Sequence, residues 1–155
     1  DGRHGYVYIP PEKPSGRPAV AACERIIHFS FPIFETYHHH PHVAFRTMLA
    51  NALAMALPDP ILRTEGVPSF ARATTTRKGK ATVVHLLAYC PERRGMKDVI
   101  EEPIVVRDAR VGVRLPGAKR VYLAPSREAL DLTQDGDYAW AAVPEVSGYQ
   151  VVVFE

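Results

Sequence analysis

Cysteine, net charge and long apolar runs are scarce in this sequence, and each scarcity excludes a class of protein. Cys23 and Cys90 are too few for a disulfide framework, and both adjoin apolar runs, which predicts buried thiols. The formal charge is only +2 and the basic residues are scattered, so we predict no nucleic-acid partner. The apolar runs are shorter than the roughly 20 residues that span a bilayer, so we predict no membrane contact and expect a cytoplasmic protein.

Motifs for catalysis and cofactor binding are missing as well. The sequence has no G-x-S-x-G elbow, no phosphate-binding glycine loop and no C-x-x-C or H-E-x-x-H spacing. Glu101 and Glu102 are adjacent carboxylates, but neighbours on an extended segment face opposite ways, which makes them a poor pair for glycoside hydrolysis. His85 lies in an apolar run, which favours a hydrogen-bonded structural role. We therefore predict no catalytic residue and no cofactor.

The residues that are present change character near position 60, which predicts two domains, 1–60 and 61–155. The first 18 residues are rich in Pro and Gly and are typical of a loop. The segments "AVAAC" and "RIIHFSF" then read as a hairpin or as edge strands. A helix is predicted next, ended by Pro58 and Pro60. Its apolar face has three-and-four spacing and consists of Phe45, Met48, Leu49, Ala52, Leu53 and Ala56.

Four histidines crowd the segment before this helix, at positions 38, 39, 40 and 42. Pro41 suits the first helical turn, and His40 would then be the capping residue. Imidazoles bind a metal when they converge from fixed positions, and only His38 and His42 have the i, i+4 spacing. The pattern favours a polar start of the helix and leaves His38, His40 and His42 as a metal-site hypothesis.

The second domain reads as all-β, with short runs of Val, Thr, Tyr and Leu between turn dipeptides. "FARATTTRKGKATVVHLLAY" predicts a hairpin that turns at Lys78-Gly79. In "ARVGVRL" apolar residues alternate with Arg110, Gly112 and Arg114, which predicts a strand with one solvated face. Further strands are predicted in "IVVRDARVGVRL", "RVYLAP", "EALDL", "DYAWAAV" and "YQVVVFE". This spacing indicates an antiparallel sandwich or barrel of roughly eight strands.

Two groups of side chains in this domain are candidates for binding. Glu92, Arg93 and Arg94 follow a strand directly. They form either an exposed turn with an ion pair or an arginine fork that reaches a carboxylate of a neighbouring domain or subunit. Tyr138 and Trp140 share a strand face by the period of two and are candidates for stacking on a sugar, although core packing is favoured.

Several of these segments together resemble the C-terminal part of bacterial glycoside-hydrolase-like proteins. The segments are "RIIHFSFPIFETY", "FRTMLANALAMALPDPIL", "VVHLLAYCPERRG" and "VIEEPIVVRDARVGVRLPG". Proteins of this group carry a TIM-type barrel, then a beta-galactosidase trimerisation domain as in glycoside hydrolase family 42, then a small β-sandwich. The resemblance extends from about Pro18 onward, and "HLLxYxPERRG" is its most specific string.

The resemblance implies an α+β chain in which the terminal strands and helix of an α/β glutamine-amidotransferase-like domain precede a small antiparallel β-sandwich. The catalytic carboxylates of such enzymes lie on the barrel, so no catalytic residue is carried over. The implied role is non-catalytic support of oligomer assembly, with the N-terminal catalytic barrel and further copies of the chain as partners. A free-standing carbohydrate-binding module and a metal-dependent enzyme built on the histidines stay open as alternatives.

Overall fold

The computed structural model describes residues 16–24 and 26–155. The chain divides into two compact units, of which the first ends at Asp59 and the second runs from Pro60 to Glu155. The predicted Pro/Gly-rich loop of residues 1–18 lies almost entirely outside the described residues. No helix within the described ranges is long and apolar enough to cross a membrane.

The described part of the first unit contains a β-hairpin and two helices. β1 (Val20–Cys23) pairs antiparallel with β2 (Ile26–Phe29), which confirms the predicted hairpin. α1 (Ile33–His39) and α2 (Val43–Ala56) follow. Among residues 16–24 and 26–59 only Ile33 is a buried apolar residue. Cys23 is exposed and Cys90 half-buried, so the prediction of buried thiols is wrong.

The histidine segment covers the end of α1 and the break before α2. The sequence predicted only the second of these helices and placed the histidines in an extended stretch before it, so α1 was not predicted. Pro41 lies outside both helices, so its predicted place in the first helical turn is wrong. His40 is instead the C-cap of α1, and His42 is the N-cap of α2. The Nδ1 atom of His42 accepts a hydrogen bond from the N–H of Ala44 at 3.1 Å. His42 has an extended backbone and a side-chain acceptor, which satisfies one free N–H group in the first turn of α2. Proline has no side-chain acceptor for this role.

The second unit is built from strands, as the sequence predicted. Three departures occur: residues 62–65 form a strand that was not predicted, "EALDL" is divided at Asp131 into two strands, and the segment after Pro91 forms a hairpin where the sequence suggested a turn. The strands are β3 (Leu62–Glu65), β4 (Arg72–Lys78), β5 (Ala81–Leu87), β6 (Glu92–Arg94), β7 (Lys97–Val99), β8 (Val105–Arg114), β9 (Val121–Ala124), β10 (Ala129–Leu130), β11 (Leu132–Asp135), β12 (Tyr138–Ser147) and β13 (Tyr149–Phe154).

Two antiparallel sheets carry most of these strands. The five-stranded sheet has the order β10-β9-β13-β5-β4 and the four-stranded sheet the order β11-β12-β8-β3, while β6 and β7 pair with each other. The core draws on both larger sheets: Val84 and Phe154 come from the first, and Val111, Val113 and Val143 from the second. The unit is therefore sandwich-like, which confirms the mostly-β part of the predicted fold. The amidotransferase-like part stays a prediction.

Alternation along β8 places one of its faces in the core. Val111 and Val113 are fully buried while Arg110 and Arg114 are exposed, as predicted. Gly112 departs from the predicted solvated face, because the indole of Trp140 on the paired strand lies over it. A Cβ at Gly112 would meet Cε2 of Trp140 at 2.5 Å, so this position has no room for a side chain.

Candidate functional site

The hairpin of β6 and β7 holds the charged cluster that the sequence singled out. Nη2 of Arg94 donates hydrogen bonds to Oε2 of Glu92 at 3.0 Å and to Oε2 of Glu101 at 3.1 Å. All three side chains are more than half exposed. Such pairs contribute about 0–1 kcal/mol to stability. Arg93 instead uses its Nε to donate to the backbone oxygen of Gly95 at 3.3 Å.

The cluster has the features of the exposed, ion-paired alternative. The guanidinium of Arg94 is already bound by two carboxylates of its own chain, and only Glu101 among its partners lay outside the predicted group. A cleft of about 390 Å³ opens beside it, lined by Cys90, Glu92, Arg94, Glu101, Glu102, Pro103 and Ile104. Contact of Glu92, Arg93 and Arg94 with another domain or subunit stays a prediction.

Tyr138 and Trp140 lie on the face of β12 opposite to its core residues Ala139 and Ala141. Both are nonetheless buried, with exposed fractions of 6% and 7%. Their ring centroids are 6.5 Å apart at an interplanar angle of 39°. The hydroxyl of Tyr138 donates to the backbone oxygen of Pro60 at 2.6 Å.

Arginine side chains cover these two rings. Cζ of Arg63 lies 4.1 Å from the centroid of Tyr138, and Cζ of Arg110 lies 5.1 Å from that of Trp140, within the range of cation–π attraction. A sugar-stacking platform needs an open ring face, whereas these rings expose little area. Both rings are packed, as the sequence favoured, yet they lie outside the main core cluster. Sugar binding by this pair stays a prediction.

The histidines of the metal-site hypothesis lie on different elements. His38 is in the last turn of α1, His40 follows it as C-cap, and His42 begins α2. Nδ1 of His42 is occupied by the Ala44 N–H, which leaves only Nε2 for a metal. Within the described residues, no three His, Cys, Asp or Glu side chains come together in a way that could hold a metal ion. The metal-site hypothesis has no further support.

A hydrogen-bonded row on the outer face of the five-stranded sheet was missed by sequence reasoning. His85 on β5 is 2.7 Å from the Tyr149 hydroxyl through Nδ1 and 3.1 Å from the Thr76 hydroxyl through Nε2. Its ring also stacks with that of Tyr149 at a centroid distance of 6.1 Å. The predicted structural role of His85 agrees with these contacts. The alternation of β5 signals which face His85 takes, but its partners depend on strand register, which the sequence leaves open.

Among the described residues, the carboxyl group of Glu155 has a pKa that departs from its ordinary value. It accepts hydrogen bonds from the guanidinium of Arg120 and from the hydroxyl of Tyr122. The hydrogen bond from Arg120 lowers the pKa of this carboxyl below its ordinary value, opposed in part by desolvation. The pair joins the start of β9 to the end of β13 and has the geometry of a structural clasp.

Comparisons with protein-family models and with curated proteins find no match. Among solved structures, the chain is similar to α-L-fucosidase isoenzyme 2 from Paenibacillus thiaminolyticus, with a TM-score of 0.86 and 27% sequence identity. The match covers 94% of this chain and 23% of that enzyme, so this chain spans about a quarter of the length of its solved relative.

A second solved structure, a cycloisomaltooligosaccharide glucanotransferase from Paenibacillus sp., overlaps with a TM-score of 0.41 and 14% identity, covering 72% of this chain and 21% of that chain. That score is too low to carry an argument. The chain thus matches, in structure, part of a bacterial α-L-fucosidase, which is a glycoside hydrolase. The family 42 and beta-galactosidase labels stay predictions.

Proposed function

We propose that this chain is a non-catalytic region of a longer glycoside hydrolase, where it supports oligomer assembly and the catalytic barrel. The observation that carries the proposal is the match in fold: nearly all of this chain overlaps with less than a quarter of a bacterial α-L-fucosidase. A region of that size is too small to hold a TIM-type barrel of about 250 residues. The chemistry of the longer protein is therefore assigned to its other domains.

The candidate sites support a non-catalytic role. The carboxylates of Glu92 and Glu101 are exposed and share one guanidinium group, that of Arg94, whereas the acid and the nucleophile of glycoside hydrolysis lie on opposite sides of a sugar. The one described histidine with two side-chain partners, His85, bonds two neutral hydroxyl groups. No candidate nucleophile with an adjacent base emerges from the described residues.

Helix α2 supports the assembly part of the proposal. None of its residues is buried, although most are apolar. Leu53 and Met55 are 67% and 58% exposed, where a helix of a complete domain hides one apolar face. Covering one such side chain contributes about 1.5–3 kcal/mol. We assign the cover to the catalytic barrel or to a second copy of the chain, since the solved relative is much longer than this chain.

The finer assignment of the first unit to the end of a trimerisation domain, with an amidotransferase-like fold, is part of the same proposal and rests on the sequence resemblance. A cytoplasmic location belongs to it as well. For the substrate of the longer protein, the solved relative favours an α-L-fucoside. Hydrolysis rates of the natural protein on nitrophenyl α-L-fucoside and nitrophenyl β-D-galactoside decide between the fucosidase and galactosidase assignments.

Sedimentation velocity of the 155-residue chain tests the assembly role. We expect concentration-dependent association through α2, and we expect Leu53→Lys to shift the chain toward the monomer. Met96→Lys is the matched control, because Met96 is 97% exposed at the tip of the β6–β7 hairpin. A chain that is monomeric at all concentrations, or one that dissociates equally with Met96→Lys, contradicts the role of α2.

A second candidate function, carbohydrate binding by the second unit, is favoured by two exposed aromatic side chains. Tyr89 and Tyr149 are 41% and 49% exposed, and Leu87 lies directly opposite Tyr149 in the register. A cleft of about 290 Å³ lies beside Tyr89 and is lined by Phe70, Arg72, Leu87, Tyr89 and Pro91. Exposed rings of this kind offer sugars a stacking face, which Tyr138 and Trp140 do not.

Calorimetric titration with galactosides, arabinosides and L-fucose tests this second function. Carbohydrate binding requires saturable heat of binding that Tyr149→Ala abolishes. Tyr37→Ala, which changes a tyrosine of α1, should leave this heat unchanged. Heat without saturation, or equal heat in both variants, removes the carbohydrate-binding alternative for this surface.

A further inference from the structure

We propose that a cleft at one edge of the second unit, here called the arginine cleft, binds an acidic saccharide, meaning a sugar that carries a carboxylate or a sulfate ester. Its volume is about 530 Å³, within the range of pockets that hold small molecules. The described residues that line it include a guanidinium group from each sheet and, on the core-facing side, the hydroxyl groups of Thr75 and Thr82, and no carboxylate is among them. They are Ile61, Thr75, Thr76, Arg77, Thr82 and Arg114.

The topology explains why the two arginines meet here. β3 and β4 are terminal strands of the two different sheets and contact each other, so the cleft lies where the edges of the sandwich approach. Arg77 is near the end of β4, directly opposite Thr82 of β5. Arg114 ends β8, and its N–H donates to the backbone oxygen of Ile61 at 2.9 Å. Each sheet thus supplies one guanidinium group.

The core-facing side of β4 and β5 becomes polar at this end. Thr75 lies opposite Val84, which is fully buried, whereas Arg77 lies opposite Thr82. Thr82 is the one buried polar residue within the described ranges. Alternation puts all four residues on the same face of the sheet. Because apolar residues at positions 75, 77 and 82 would extend the core, their polarity indicates a surface that faces polar atoms.

No carboxylate of the described residues neutralises the charges of the cleft. Neither Arg77 nor Arg114 forms an ion pair with the described residues, while the arginines at positions 94, 107, 110 and 120 each bind a glutamate. A guanidinium group donates two parallel hydrogen bonds to a carboxylate or sulfate, so two of them on one cleft favour an anion.

The threonine hydroxyl groups of the cleft favour a sugar acid over a bare anion as the ligand. The hydroxyl groups of Thr75 and Thr82 both donate and accept, as sugar hydroxyls do, whereas the hydroxyl of Thr76 lies 3.1 Å from Nε2 of His85 on the outer face of the sheet. The anion part of the inference rests on the arginine cleft alone. The saccharide part rests on the proposed function, since the matched solved structure is a glycoside hydrolase.

Calorimetric titration of the 155-residue chain with glucuronate and galactose 6-sulfate tests the inference, with glucose and galactose as neutral probes and inorganic sulfate as the bare anion. We expect saturable one-to-one binding of the acidic sugars that weakens as salt is added. Arg77→Gln and Arg114→Gln are expected to raise Kd at least about tenfold. Arg107→Gln is the matched control, because Arg107 lies on β8 with Arg114 but pairs with Glu145 outside the cleft.

Four results overturn the inference: no saturable heat, equal binding of neutral sugars, an unchanged Kd in both cleft variants that still melt like the wild type, or inorganic sulfate binding as tightly as the sugar acids. A variant that fails to fold is replaced by its Lys counterpart, which keeps the charge but loses the fork. Leu53 does not line the arginine cleft, so the sedimentation result for α2 is independent of this one.

Discussion

The two units of this chain bury their apolar residues to very different extents. In the second unit both sheets direct Val, Leu and Phe side chains into a common core, and Phe154, Val84 and Val143 are fully buried. In the described part of the first unit Ile33 is the one buried apolar residue, while Leu53 of α2 remains two-thirds exposed. Apolar residues are abundant in both, so composition is not the cause.

The cause is the number of surfaces that can face each other. Two antiparallel sheets each present one apolar face, and closing them together removes both faces from water. A two-stranded hairpin with two helices has too few layers to do the same, and such a small assembly is marginal without a partner. The comparison teaches that the two sheets of the second unit form a core of their own, whereas the described hairpin and helices of the first unit do not.

The largest effect is expected from removing a core side chain of the second unit. Phe154→Ala deletes a fully buried ring and should lower the free energy of unfolding by about 3–5 kcal/mol, measured by urea denaturation. Ile33→Ala is the matched change in the first unit and should leave the transition of the second unit in place. Equal effects of the two substitutions on that transition would contradict a separate core in the second unit.

A smaller effect is expected where a side chain is added. Gly112→Ala places a methyl group against the Trp140 indole, whose Cε2 would lie 2.5 Å away, so the ring must shift. We expect the free energy of unfolding to fall by about 1–3 kcal/mol and the fluorescence of Trp140 to change. Gly79→Ala, where nothing lies within 4 Å, controls for the loss of glycine in a strand-rich unit, although its φ of +61° adds some strain. An unchanged Trp140 signal would show that the indole does not cover Gly112.

A pH-dependent contribution is expected from Glu155, also in the second unit. Because the hydrogen bond from Arg120 lowers the pKa of this carboxyl in the folded state, the stabilisation is present above the ordinary value of 4.5 and is lost as the pH falls through the folded pKa. The stability difference between wild type and Glu155→Gln should therefore close on acidification below 4.5. A constant gap for Glu155→Gln would refute the assignment.

The smallest effect is expected in the first unit. His42→Ala removes the side-chain acceptor of the α2 N-cap and should lower the stability of α2 by less than about 1 kcal/mol. We expect a lower helix content and faster hydrogen exchange of the first amides of α2. His39→Ala, which removes no cap, should change neither. The unfolding transition of the second unit should stay the same in both variants. If both reduce α2 protection alike, the capping role of His42 is wrong.

Periodic features of the fold could be predicted from the sequence. The alternation at Val111 and Val113 predicted the buried face of β8. The turn predicted at Lys78-Gly79 lies one residue further along, at Gly79 and Lys80, because Lys78 still pairs with Ala81. Both signals are local, since they need only a strand period or turn chemistry. The hairpin of β1 and β2 followed in the same way.

Features that depend on register could not be predicted. Trp140 covers Gly112 because the two are paired across β12 and β8, and no local pattern specifies that pairing. Strand β12 also continues through Pro144, beyond the predicted segment "DYAWAAV". The register pairs Val143 with Ala109 and Glu145 with Arg107. Pro144 therefore lies opposite Asp108, where the backbone φ is +59°. A proline is tolerated where the partner strand departs from regular geometry.

The candidate sites were harder to predict than the strands. Tyr138 and Trp140 were expected to share a face, and they do, but the arginines over their rings come from β3 and β8. The arginine cleft was missed because Arg77 and Arg114 are separated in sequence and meet only through sheet topology. His42 was not recognised as a cap, because a histidine cap becomes evident only once the start of the helix is known.

The intact mass of the natural polypeptide, purified from the organism that makes it and identified by peptides of this sequence, tests the central claim most directly. The account predicts a mass several-fold above the 17.2 kDa of these 155 residues, with glycosidase activity in the same polypeptide. A natural polypeptide of 17.2 kDa would contradict the assignment to a longer glycoside hydrolase.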